Sequence, residues 1–209
     1  MIEQDRRKAG AGDTPSLLNI QIRQRPRIVS MNIFVTDLCP IVSAQNLCDV
    51  HVNKMLTESC QVVCSALRRH GATDDQLPLT KTTQRPWRGG YKHHPSTIWT
   101  GDSRSNAQWV VDHAKELLNQ FKLRYERDTH GCEIPLAIFE EHLYLIPEHG
   151  LTPFVLAMDD EHRQEDAVLA YRSYYRSKSA NDWFGYNKGT TPPDSVSYTP
   201  LTLPTMLRG

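Results

Sequence analysis

Between residues 43 and 70, Val52, Leu56, Cys60, Val63 and Leu67 recur at the spacing of one helix face. His51, Lys54, Glu58, Gln61 and Ser65 fall together on another sector of the same helix. The pattern predicts a helix from Ser43, a plausible N-cap, to Arg69, with one packed face and one polar face. His70 and Gly71 end it and begin a long polar loop that reaches Gly90. A second helix is predicted from Ser103 to Arg127, where Trp109, Val110, Ala114, Leu117, Leu118, Phe121 and Tyr125 keep helical spacing. Along the border of its apolar face lie Asn106, His113, Gln120 and Arg124. Shorter helical pieces are expected at Leu136 to Leu143 and Glu165 to Lys178, with a turn at residues 151 to 154. Alternation that would suit a strand is confined to Ile33 to Val35. The expected fold is mainly α, a single compact helical domain with long connecting loops.

The domain should span residues 31 to 195. Residues 1 to 30 are polar, basic and poor in aromatics, and read as a disordered tail or an upstream start. Residues 196 to 209 are rich in Thr, Pro and Leu without periodicity, and resemble a translated sequencing-library adapter more than a domain end. The chain has no apolar run of transmembrane length and no secretory signal pattern, so a soluble cytoplasmic protein with no membrane partner is expected. Its five cysteines form no CxxC pair, which suits reduced thiols. Cys60 lies on the apolar face, where a thiol commonly acts as a small hydrophobe.

A net charge of zero argues against a protein that coats nucleic acid. The charge distribution says more. Arg68, Arg69, Lys81, Arg85, Arg88 and Lys92 cluster around Trp87 and Tyr91, and a second group mixes Tyr171, Arg172, Tyr174, Tyr175, Arg176, Lys178 and Trp183. Aromatics among cations suit phosphate contact with base stacking, and equally a core edged by surface charge. The segment Gly90 to Pro95 presents Lys92, His93 and His94 ahead of the second helix, a phosphate-binding composition. Cys48 with His51, Cys60 with Cys64, and His93 with His94 all lack the paired spacing of a zinc site, so no metal or other cofactor is expected. Glu58 and Lys54, an acid and an amine one turn apart, are suited to acid/base or nucleophilic chemistry, or to a plain i,i+4 ion pair.

The run AQNLCDVHVNKMLTESCQVV, residues 44 to 63, resembles the first active-site helix of phage pyrimidine-dimer DNA glycosylases of the endonuclease V type. There an Asp-x-His is followed seven residues after the His by the catalytic Glu, a pattern that Asp49, His51 and Glu58 fit. YKHHP ahead of a Trp-containing helix resembles the layout of bacterial relatives, and residues 31 to 127 are similar to a group of uncharacterised phage proteins that open MNIF. The resemblance implies a DNA repair enzyme, a glycosylase/AP lyase acting on duplex DNA in the host cytoplasm. In that reaction an amine attacks C1′ and the carboxylate assists. It would make Glu58, Lys54 and His51 catalytic, with Gln61, Arg88, Lys92, His93, His94, Asn106, His113 and Arg124 holding substrate. The family's amine is that of a threonine exposed by loss of the initiator Met, whereas Asn32 follows Met31 here, and Thr57 and Gln61 stand where the family has arginines. The alternatives are a non-catalytic phage module that binds nucleic acid or protein, and a small nucleotide-processing enzyme. Oligomeric state is left open.

Overall fold

Pro40 opens the first helix, α1 (Pro40–Gln45), at a position whose N–H would have no helical partner in any case. In the computed structural model, which describes residues 32–194, the chain leaves helical geometry over residues 46–48 and resumes as α2 (Asp49–Arg69). The tails set apart by composition, residues 1 to 30 and 196 to 209, lie outside the described residues. The single helix expected from Ser43 is therefore two, and Ser43 is not a cap. It sits buried inside α1, where its hydroxyl donates to the Phe34 carbonyl at 2.8 Å and accepts the Thr36 N–H at 3.0 Å. Proline fixes the earlier start, and the serine hydroxyl is engaged by the preceding extended segment instead of by helix amides.

The other helices are α3 (Pro95–Asp102), α4 (Arg104–Tyr125), α5 (Glu133–Glu141) and α6 (Ala167–Ser177). Short 3-10 turns at Asp74–Gln76, Leu143–Leu145, Asp160–His162 and Lys178–Ala180 connect or extend them. The described residues contain no strand, and Ile33 to Val35 are extended without a ladder partner. Asn32 and Ser43 side chains satisfy their neighbourhood instead. The long loop is ordered by an isolated antiparallel bridge between Leu79 and Pro86. Its reversal is completed by hydrogen bonds from the Thr80 N–H to the Arg85 carbonyl and from the Trp87 N–H to the Pro78 carbonyl.

Helices α2 and α4 pack most extensively against one another, and Leu56, Val63 and Leu67 of α2 and Trp109 and Leu117 of α4 are all buried in the shared core. Phe121 is only partly buried against that core. Helix α3 packs beside both, and α5 closes one flank. The surprise is α2 itself. Its expected polar face is not solvated: His51, Glu58 and Ser65 are buried, along with fourteen residues of the helix in all. A central helix is covered from several sides, so hydrophobic periodicity locates its most apolar sector and misses the rest of its contacts. The aromatics of α6 correct another expectation. Tyr171, Tyr174 and Tyr175 belong to the core and are not available to stack on bases, while Arg172 is held by the Thr36 carbonyl at 2.7 Å and Asp37 at 3.3 Å. Among the described residues no helix is long and apolar enough to cross a membrane.

Candidate functional site

Glu58 lies mid-way along α2 and is 8% exposed. Its Oε1 is 3.3 Å from Lys54 Nζ one turn earlier, and the backbone N–H of Asn32 donates to the same carboxylate. Its Oε2 is buried and has no hydrogen-bond partner among the described residues. Burial pushes the Glu58 pKa up, against the opposing pull of Lys54 and the Asn32 amide. The carboxyl group thus sits where its ionised form is more costly than in water and its proton is held more tightly.

The Asn32 segment is fixed firmly. Its side-chain amide donates to the Ala157 carbonyl at 2.6 Å, and its Oδ1 accepts the Ile33 N–H at 2.8 Å and lies 3.4 Å from the Tyr171 hydroxyl. That hydroxyl also donates to the Val155 carbonyl at 2.7 Å. Ser96 at the start of α3 lies close enough to affect Tyr171, yet its Oγ forms no well-shaped bond of its own. Thr97 Oγ1, Trp99 Nε1 and both ring nitrogens of His113 are likewise buried without partners among the described residues. Elsewhere among the described residues Trp87 Nε1 and Thr190 Oγ1 are unpaired, but native interiors leave few polar atoms unpaired, and five of these lie on α3 and α4.

Two turns farther along the same face of α2, about 10 Å by helix rise, Ser65 binds the loop. Its hydroxyl donates to the Gly90 carbonyl at 2.7 Å and accepts the Gly90 N–H at 2.9 Å. Gly89 adopts φ +75°, and a Cβ there would collide with Ser65, so glycine is what lets the loop lie against the helix. The result is a recess of about 580 Å³ lined by Ser65, Arg68, Arg69, Arg88, Lys92 and His93, among others. Arg68 and Arg69 are already paired, with Asp74 and Asp102 at 2.8 Å each. Arg88, Lys92 and His93 are exposed and make no side-chain bond to another described residue. Arg88 and Lys92 are cations available to an anionic ligand, and His93 offers ring nitrogens beside them.

The remaining expected site residues are placed elsewhere or used structurally. His51 is stacked on Phe34 with centroids 5.0 Å apart, and its Nδ1 meets the Tyr175 hydroxyl at 2.9 Å. Burial, with Lys54 and Lys178 nearby, lowers its pKa to about 3, so it is a neutral imidazole in the core. His94 caps α3 by accepting the Ser96 N–H at 3.2 Å. Gln61 accepts the Gly90 N–H through its carbonyl and thus supports the loop. Asn106 donates to the Trp99 carbonyl and Thr152 Oγ1, both at 2.8 Å. Arg124 is 5% exposed and ties α4 to the α1–α2 connection through the carbonyls of Leu47 at 2.6 Å and Gln45 at 3.0 Å, and through Asp49 at 3.3 Å. His113 is stacked on Trp109 at 5.2 Å, with its pKa lowered by burial to about 3.

Glu58, Lys54 and the Arg88–Lys92–His93 recess therefore share one face of α2, while Asn106, His51 and Arg124 brace the scaffold around it. No His, Cys, Asp and Glu cluster among the described residues is arranged to hold a metal. The chain matches no family model, no curated protein and no solved structure. Sequence reasoning missed Asn32 as a partner of Glu58, because the two are joined only by the tertiary fold. It also missed the hydroxyls of Tyr171 and Ser96.

Proposed function

We propose that the protein is a DNA-processing enzyme of the glycosylase/AP-lyase kind, with Glu58 at its reacting centre. The observation that carries this reading is the buried Glu58 carboxylate, whose raised pKa, free Oε2 and amine neighbour match what amine attack on a sugar needs. An amine attacks C1′, the base departs, and the iminium that forms drives β-elimination of the strand. Glu58 stabilises the developing positive charge on the sugar and carries protons between steps. Two amines are candidates for the nucleophile. Lys54 Nζ is 3.3 Å from Glu58, and in a form of the chain starting at Met31 the α-amine would be a single residue, about 3.8 Å between Cα atoms, from the Asn32 nitrogen that Glu58 already binds. Arg88, Lys92 and His93 would hold backbone phosphate two helical turns away.

A second reading, a non-catalytic nucleic-acid-binding module, is favoured by one observation: the cationic recess is complete without Glu58. Borohydride trapping on duplex DNA carrying a pyrimidine dimer or an abasic site separates the two. The glycosylase/lyase becomes covalently joined to the DNA, and Glu58→Gln loses about a hundredfold or more in rate. Binding without any covalent adduct from the unaltered protein would refute the enzyme and leave the module.

A further inference from the structure

On the flank of α2 away from Glu58, Asn53, Thr57 and Cys60 follow one another at steps of four and three and face the turn that leads into α5. The turn carries His130 and Cys132. His130 Nε2 meets Asn53 Oδ1 at 3.1 Å, and its Nδ1 accepts the Cys132 N–H at 3.0 Å and lies against the Cys132 thiol. Cys132 Sγ is 3.9 Å from Thr57 Oγ1 and shares a hydrogen bond with the Cys60 thiol. Since Asn53 presents an acceptor to Nε2, the ring keeps its proton there, and its Nδ1, which accepts the Cys132 N–H, holds the ring beside the sulfur. Cys132 opens onto a cavity of about 760 Å³ whose walls include Leu79, Trp87, Ile134, Pro135 and Ile138. A thiol, an imidazole oriented by an amide, a second thiol in contact and an apolar chamber are the parts of a reactive dithiol centre.

We infer that Cys132 is the attacking thiol and Cys60 the resolving thiol of a site that reduces hydroperoxides, organic ones above all. This centre is separate from the Glu58 site and does not rest on the reading given above for it. The Cys132 thiolate attacks the terminal oxygen of the hydroperoxide. The O–O bond breaks, Cys132 becomes a sulfenic acid, and the alkoxide leaves as the alcohol with the proton that the thiol released on forming the thiolate. The Cys60 thiol then attacks the sulfenic sulfur, expelling water and leaving a Cys60–Cys132 disulfide. Two thiols are oxidised by two electrons and one hydroperoxide is reduced to alcohol and water. The bonds from Cys60, His130 and Thr57 lower the Cys132 pKa against the cost of its burial, while Cys60 is raised, the division of labour that an attacking and a resolving thiol need.

The test treats the reduced full-length protein at neutral pH with one equivalent of cumene hydroperoxide or hydrogen peroxide, followed by non-reducing digestion and mass spectrometry. A peptide linked through Cys60 and Cys132, lighter by two hydrogens, is expected, and it should form faster with the organic peroxide. Hydrogen peroxide reacting as fast would remove the preference for organic substrates. In Cys60→Ser, dimedone should trap a sulfenate on Cys132, and His130→Ala should slow the reaction on the order of tenfold, the gain expected from raising the thiolate fraction of an ordinary cysteine. A measurement on the unaltered protein guards against variants that fail to fold: iodoacetamide at mildly acidic pH should modify Cys132 ahead of the exposed Cys39. Oxidation or alkylation of Cys39 as fast as Cys132, or the absence of the linked peptide, would overturn the inference.

Discussion

Acidification from pH 7.5 to 5.5 should unsettle this fold well before its carboxylates titrate. His51 and His113 each have a folded pKa of about 3, with burial as the main cause, against the ordinary 6.5. A depressed histidine pKa means that the unfolded chain binds the proton first, so stability is lost as pH falls through 6.5 toward 3. At pH 5.5 the linkage relation gives about 1.4 kcal/mol for each ring, hence about 3 kcal/mol for the pair. The half-buried His94, also lowered by burial, acts in the same direction. Glu58, its pKa raised by burial, acts in the opposite sense wherever it titrates, because the native state takes up its proton before the unfolded chain does. A loss of 2 to 3 kcal/mol is roughly a quarter of the stability of an ordinary domain. Urea titrations should show a midpoint lower by about 1 to 1.5 M at pH 5.5 for a slope near 2 kcal/mol/M. His113→Leu should nearly halve the difference between the two pH values, whatever it does to absolute stability. Equal midpoints at both pH values, or an NMR titration of His113 with an ordinary midpoint, would refute the reasoning.

Other changes test the packing and the recess. Leu117→Ala empties a fully buried position at the α2–α4 interface and should cost about 2 to 5 kcal/mol in chemical denaturation. Gly89→Ala forces a left-handed residue against Ser65 and should cost about 1 to 3 kcal/mol, while weakening any binding that depends on Arg88. If Arg88 contacts a phosphate, Arg88→Ala should reduce the slope of log affinity for duplex DNA against log salt by about one unit, and an unchanged slope would remove it from the interface. Glu58→Gln replaces a buried carboxylate with a neutral group of the same shape, so at neutral pH it should hold or raise the melting temperature while stopping the reaction.

The long helices were legible because their signal is local. The Trp109, Val110, Leu117 and Leu118 pattern of α4 and the Val52, Leu56, Val63 and Leu67 pattern of α2 repeat over several turns, and both helices form where the periodicity puts them. The α1–α2 break was not legible, since nothing in Asn46, Leu47 or Cys48 forbids a helix and the interruption is held by tertiary bonds, such as the Cys48 N–H to the Tyr175 hydroxyl at 2.8 Å. Glu58, Lys54 and the Arg88–Lys92–His93 loop were visible as chemistry-bearing residues. Their shared face was visible only for the members on α2, because the loop reaches it through Gly89 and Ser65. The same limit hid the His130–Cys132 turn, whose partners on α2 are more than seventy residues away in the chain. Spacing on α2 did offer a clue there: Asn53, Thr57 and Cys60 form a stripe that is neither wholly apolar nor wholly charged.

Packing alone does not explain what surrounds Glu58. A core built only for stability would fill that position with an apolar side chain, or would give the carboxylate a full set of donors. Here one oxygen is unpaired among the described residues, and Ser96, Thr97 and His113 at the neighbouring helix junction are unpaired too. Meanwhile the scaffold is satisfied with care a short distance away, where Arg124 makes bonds to Leu47, Gln45, Asp49 and Gln120 from a position almost sealed from solvent. Five of the eight unsatisfied atoms among the described residues belong to α3 and α4, the others being on Glu58, Trp87 and Thr190. Polar atoms left without partners in an otherwise paired core cost stability, and a ligand that supplied the missing bonds would offset that cost. The Glu58 region, with cations waiting along the same helix face, is where such a ligand would recover the most.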